Sequence, residues 1–240
     1  MTGSEGERLA YLRALGIDVW VLRGEETAGE VAAPVEDGGE DRVTGEEFQA
    51  DPSADDWEAL RARVSGCIRC ALHEGRTQTV FGVGNPEADL MIIGEAPGAE
   101  EDRRGEPFVG RAGKLLDEML RSLGLGRDDV FIANILKCRP PGNRDPRPEE
   151  SAECRPYLRR QIALVRPRVI LAVGRIAAQD LLESDEPIGR LRTRPHRFPE
   201  AAIPVVVTYH PAYLLRSPSQ KRKAWQDLCR ARRLLAGEGA

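Results

Sequence analysis

Four short apolar runs mark the chain: Asp89–Gly94 (DLMIIG), Val130–Leu136 (VFIANIL), Arg168–Gly174 (RVILAVG) and Ile203–Tyr209 (IPVVVTY). Each is continuous rather than alternating, the pattern of a strand covered on both faces. Helical periods separate them at Arg111–Leu123, Pro148–Val165 and Arg175–Leu182. Trp57–Val64 is helical ahead of them, and Ser219–Leu235 follows with Trp225, Leu228, Cys229 and Leu235 expected near one face. Strands alternating with helices of this length predict an α/β fold. The expected architecture is a three-layer α/β/α sandwich around a central four-stranded parallel sheet with right-handed crossovers. Such sheets hold ligands at the carboxyl ends of their strands. The first strand runs out into Gly94-Glu95-Ala96-Pro97-Gly98, the second carries Asn134 near its end, and the fourth leads into His210-Pro211. A carboxylate, an amide and an imidazole are therefore expected at one edge.

Upstream of residue 55 the pattern fades. Residues 24–54 are rich in Glu, Asp, Gly and Ala and lack apolar periodicity, as in an acidic disordered linker. Residues 1–23 read as a short N-terminal element: a helical stretch at Glu7–Leu15 and an apolar run at Ile17–Leu22, the kind of cluster that contacts a protein partner. Residues 55–240 form the expected catalytic body. Charge follows the same division. The whole 240-residue chain has a net charge of −4, but residues 1–60 hold 16 acids against 4 bases and the rest 23 acids against 31 bases. A basic body with an acidic arm points to a polyanionic partner. No run of about 18 apolar residues is present, so no membrane partner is expected. The first residues lack the basic and apolar regions of a secretory signal, so a cytoplasmic protein is expected.

Of five cysteines, Cys67 and Cys70 form a C-x2-C hook, Cys138 follows the second strand, and Cys154 comes 16 positions later. Four thiolates gathered by the fold suit zinc or an iron–sulfur cluster, and spacing alone does not choose. Cys229, on the last helix, reads as a small hydrophobe.

Several motifs, in order, carry a resemblance. Gly94-Glu95-Ala96-Pro97-Gly98-Ala99-Glu100-Glu101-Asp102 is followed by Pro107-Phe108-Val109-Gly110-Arg111-Ala112-Gly113, then Asn134-Ile135-Leu136-Lys137-Cys138-Arg139-Pro140-Pro141, then His210-Pro211-Ala212-Tyr213-Leu214. Over about residues 57–235 the chain resembles the family 4 uracil-DNA glycosylases. The resemblance implies a monofunctional DNA repair enzyme, probed by base flipping, that hydrolyses the bond between uracil and deoxyribose. It also implies a 4Fe-4S cluster on Cys67, Cys70, Cys138 and Cys154. Gly94, Glu95 and Ala96 would line the uracil pocket, with Phe108 as its stacking face. Asn134 would read the O4/N3 edge of uracil, whose pattern cytosine inverts. His210 would donate to O2 as the bond breaks, stabilising the leaving anion. For the water or the sugar cation the candidates are Glu101, the first choice, and Glu95. Other members of the superfamily have an Asp where this chain has Ala96. Phosphate contacts are expected from Arg139, Arg216, Lys221, Arg222 and Lys223, and an apolar wedge from Leu214 or Leu215. The expected partner is uracil-containing DNA, single- or double-stranded, bound by a monomer.

Two other readings compete. Relatives that trap uracil covalently carry a histidine between the equivalents of Glu101 and Phe108, and the segment Asp102–Pro107 has none. A non-catalytic, four-cysteine nucleic-acid-binding module accounts for charge and thiols but not for Glu95, Asn134 and His210 at one edge.

Overall fold

The computed structural model describes residues 57–238. The N-terminal element, the acidic linker and residues 55–56 lie outside the described residues. Six strands form one sheet: β1 (Val83–Gly84), β2 (Leu90–Gly94), β3 (Phe131–Asn134), β4 (Val169–Val173), β5 (His196–Arg197) and β6 (Pro204–Thr208), in the order β1-β3-β2-β4-β6-β5. The central four, β3, β2, β4 and β6, are mutually parallel, and they are the four apolar runs trimmed at their ends. β1 and β5 add antiparallel edges. Each has two residues, too few to show any period, so the pattern of the chain does not reveal them.

Around the sheet lie α1 (Trp57–Ser65), α2 (Leu72–Gly75), α3 (Ala99–Arg104), α4 (Arg111–Ser122), α5 (Pro148–Val165), α6 (Arg175–Leu181), α7 (Ile188–Leu191), α8 (Pro211–Arg216) and α9 (Lys221–Leu235). Alternate strand residues feed two cores, as the two-residue period of a strand requires. Met91, Ile93, Ala133, Ile170, Ala172 and Val207 pack with side chains of α1, α5 and α6. Leu90, Ile92, Ile132, Leu171 and Val206 pack with side chains of α4, α8 and α9. Both faces of the sheet are covered, which explains the unbroken apolar runs and gives the three expected layers.

The last helix departs from expectation. A turn of 3-10 helix at Pro218–Gln220 precedes α9, whose buried face is Ala224, Asp227, Leu228 and Ala231. Trp225 is 46% exposed, and Cys229 and Leu235 are half-buried. The reason is a carboxylate in the core. The buried Arg192 guanidinium grips Asp227 through Nε and Nη2 at 2.7 and 2.8 Å, so a charged residue occupies the face expected for the tryptophan.

Candidate active site

Gly94 and Asn134 end adjacent parallel strands and face each other in register. Beyond them, Ile135 N–H donates to Gly94 O and Leu136 N–H to Glu95 O, which keeps the two strand exits side by side. A Cβ added to Gly94 would stand 2.5 Å from both Asn134 Oδ1 and Phe108 Cζ. Three residues thus converge on one point, and a bare Cα is what leaves room between them. Asn134 is 2% exposed, yet its Oδ1 has no hydrogen-bond partner among the described residues. A buried acceptor left in that state costs about 1–3 kcal/mol, an outlay natural interiors avoid unless a ligand supplies the donor.

Phe108 sits in the left-handed region at φ 55°, a strained conformation for a phenylalanine. The loop that carries it is clamped from both sides. Glu101 Oε1 accepts from the N–H groups of Val109 and Gly110 at 2.9 and 3.1 Å. Arg127 donates to the carbonyls of Pro107 and Phe108 and pairs with Asp117. Held this way, the buried ring lies 5.6 Å from the His210 ring, tilted by 30°.

His210 caps the start of α8, and its Nδ1 accepts from Ala212 N–H at 3.2 Å. In a neutral imidazole that tautomer leaves Nε2 as the donor. Burial, assisted by Arg216 and opposed by Glu101, lowers its pKa to about 4, so the ring is neutral at physiological pH.

The two carboxylates differ. Glu101 has one oxygen committed to the Phe108 loop, and its Oε2 fills the space beside Gly98, 2.7 Å from where a Cβ would lie. Glu95 is half-buried on the strand exit, and burial together with the Asp145 charge raises its pKa to about 7 against the opposing effect of Arg175. Asp145 and Arg175 form a 2.7 Å ion pair at that edge. Neither was expected from the sequence: Asp145 sits in a polar loop and Arg175 opens a helix, contexts that look like solvated surface.

All four expected metal-ligating cysteines line one small pocket together with Arg76, Lys137 and Tyr157. Arg76 Nη1 donates to Cys138 Sγ at 3.1 Å and the Lys137 N–H to Cys154 Sγ at 3.2 Å. Among the described residues no group of three or more His, Cys, Asp or Glu is arranged to hold a metal ion. Burial pushes the Cys154 thiol up to about 12 and raises Cys138 as well. Binding of a metal group would have to expel those protons. Soft sulfur donors with N–H groups directed at them suit a thiolate-held metal group, zinc and iron–sulfur alike.

Of the expected DNA contacts, Arg216 and Lys221 are exposed, and Arg139 is half-buried with its Nε on Asn143 Oδ1. Leu215 is 37% exposed on α8. Leu214 is 1% exposed and packs with Leu171, Leu116 and Leu228, so it belongs to the core and not to a DNA wedge. The segment after His210 is a helix, Pro211–Arg216, and only the side turned away from the core reaches solvent.

Comparison with known proteins agrees with this geometry. The Uracil DNA glycosylase superfamily profile matches residues 81–229. The type-4 uracil-DNA glycosylase of Archaeoglobus fulgidus is 45% identical over 170 residues, 68% of this chain and 85% of that protein. That of Thermotoga maritima is 42% identical over 185 residues, 76% and 96% of the two chains. A type-5 uracil-DNA glycosylase of Thermus thermophilus shares 37% over 118 residues, 43% and 53%. By these matches the chain belongs to the uracil-DNA glycosylase superfamily and, within it, to the type-4 uracil-DNA glycosylases.

Proposed function

We propose that the protein is a monofunctional hydrolase of base excision repair that cuts the N-glycosidic bond of uracil in DNA. Free uracil and an abasic site are the products. The observation that carries this reading is the unpartnered Asn134 Oδ1 set against Phe108 and Gly94. Uracil supplies an N3–H for that oxygen and an O4 for the amide N–H, while cytosine would set donor against donor and acceptor against acceptor. Phe108 gives the flipped base a stacking face worth about 1–3 kcal/mol, which offsets part of the unstacking cost of a few kcal/mol.

As the bond to C1′ breaks, uracil takes the electron pair and becomes an anion. The neutral His210 then donates its Nε2–H to O2 where negative charge grows, an interaction strongest in the transition state. Water adds hydroxide to C1′ and its proton ends on the uracil. We assign Glu95 to that water and to the sugar cation, because it follows Gly94 at the end of β2 and its carboxyl ionises near neutrality. Glu101 acts by bracing the Phe108 loop. Arg139, Leu215, Arg216 and Lys221 are the DNA contacts in this reading.

Cys67, Cys70, Cys138 and Cys154 would hold a 4Fe-4S cluster. When bound, that group supplies four thiolate links between loops, and a hydrolysis in which nothing is oxidised or reduced asks no more of it. No helix among the described residues is long and apolar enough to cross a membrane. We place the enzyme as a monomer in the cytoplasm beside chromosomal DNA, with residues 1–23 available to an unidentified protein.

One assay tests the core of this. A uracil-containing oligonucleotide is incubated with protein, cleaved with alkali and run on a denaturing gel. Multiple turnovers are expected. A heat-stable protein–DNA adduct would establish covalent trapping, and an intact strand would leave only a binding module.

A further inference from the structure

Lys137 is 1% exposed and has no part in the chemistry described so far. Its ammonium donates to the backbone carbonyl of Asn134 at 2.8 Å and to Gln161 Oε1 at 2.6 Å. Gln161 in turn donates from Nε2 to Phe81 O at 2.8 Å, which fixes the acceptor that the ammonium uses. The Lys137 N–H donates to Cys154 Sγ, its carbonyl accepts from Val80 N–H, and the next residue is Cys138. One residue thus bonds directly to the peptide that carries the uracil-reading amide and to a sulfur of the four-cysteine pocket.

The chemistry of this arrangement is unusual for a purely structural contact. A buried charge is ordinarily matched by an opposite one, as Arg192 is by Asp227. The hydrogen-bond partners of the Lys137 ammonium among the described residues are two neutral oxygens. One of them belongs to Asn134, the last residue of β3. The orientation of that peptide sets where the short Asn134 side chain points, and so where Oδ1 stands relative to Gly94 and Phe108.

We propose that Lys137 is a positioning residue that ties the Asn134 amide to the four-cysteine site, so that the thiolates govern uracil recognition as well as stability. The proposal rests on Asn134 being the uracil contact. Replacing the ammonium by a thioether removes the donor, frees the Asn134 peptide to rotate, and weakens the hydrogen bonds to the base.

A double-mutant cycle with Lys137→Met and Asn134→Ala tests it. Four quantities are measured: the single-turnover rate on a uracil oligonucleotide, free-uracil binding by calorimetry, affinity for an abasic oligonucleotide, and iron per chain. Lys137→Met is expected to slow the reaction and weaken free-uracil binding by about 10- to 100-fold, the loss of one or two hydrogen bonds. Abasic-DNA affinity and iron content stay at wild-type values. In the Asn134→Ala background the same change costs less than about threefold, because its effect runs through the missing amide. Additive losses, wild-type uracil binding, or loss of iron in parallel with activity would each overturn the proposal. Should Lys137→Met fail to fold, Gln161→Met removes one of the two acceptors, and a smaller, again non-additive loss is expected, with additivity overturning the idea. Wild-type protein inactive on uracil would instead reject the functional reading itself.

Discussion

The proposed uracil site and the four-cysteine pocket are joined by four residues, Asn134 to Lys137, and are built on opposite plans. In the first, polar capacity is held back. Asn134 Oδ1 is buried without a partner among the described residues, the imidazole of His210 is kept neutral, Phe108 is strained and Gly94 is bare. In the second, donors are already directed at sulfur from Arg76 and the Lys137 backbone. A site of the first kind gives up stability that a transient ligand would restore, while one of the second kind would draw stability from a group bound to its thiols.

Changes to the first pocket should therefore alter rate and leave the fold intact. Asn134→Ala is the most severe, since it removes both contacts to the base edge; the single-turnover rate should fall about 10³-fold, with the melting temperature unchanged or raised. His210→Ala removes a donor aimed at the developing anion, and a loss of about 10²-fold is expected. Its melting temperature should also hold, because Pro211 and the α8 backbone remain. Cys67→Ala should behave the other way. Brown colour and most of the soluble yield disappear, and the protein that stays folded also binds free uracil more weakly, as the Lys137 link between the two sites requires. A colourless, fully stable wild type with zinc found by metal analysis would break the contrast by removing the cluster from it.

Much of this contrast was legible in the sequence, for reasons that particular residues make clear. The four central strands read correctly because both faces of each are buried, which leaves an unbroken apolar run. Asn134 and His210 stood out as polar residues at strand exits, where topology already places ligands. The Cys67–Cys70 hook was visible as local spacing. Other features depend on distant partners and leave no local mark. Asp227 takes the core face of α9 because Arg192, from another part of the chain, neutralises it, and Trp225 is displaced to the surface. Leu214 and Leu215 are neighbours of identical type, and only the turn of α8 decides that one is core and the other exposed. The engagement of Glu101 is hidden for a similar reason: the backbone N–H groups of Val109 and Gly110, eight and nine residues further on, occupy one of its carboxylate oxygens.

The Glu95 carboxyl offers a milder probe of the same contrast. Its pKa is raised from 4.5 to about 7 by burial, so between those values the folded protein holds a proton that the unfolded chain has released. The stability from this group is full at low pH and is lost as pH rises through about 7. Catalysis should move oppositely if the ionised form serves the water, with a rate about tenfold lower near pH 6 than near pH 8. Glu95→Gln should abolish both slopes at once. His210 should add no step in that window, since its pKa of about 4 lies below it. A rate that is flat across the window in wild type would remove Glu95 from the chemistry and leave it as a lining residue.

The smallest effect concerns the acidic N-terminal part of the chain, which supplies none of the candidate site residues. Residues 1–60 hold 16 acids and 4 bases, and the remaining 180 residues carry a net charge of +8. A tethered acidic segment competes with phosphate for the same basic surface, and that competition is strongest where salt screens least. Deleting residues 1–54 should therefore tighten binding to any DNA, with or without uracil, by a few-fold at low salt, and steepen the salt dependence. The single-turnover rate at saturating enzyme should not change, because Asn134, His210, Glu95 and the cysteines are all downstream. A changed rate would mean that the acidic arm reaches the pocket, whereas unchanged affinity and salt slope would make it a passive tether.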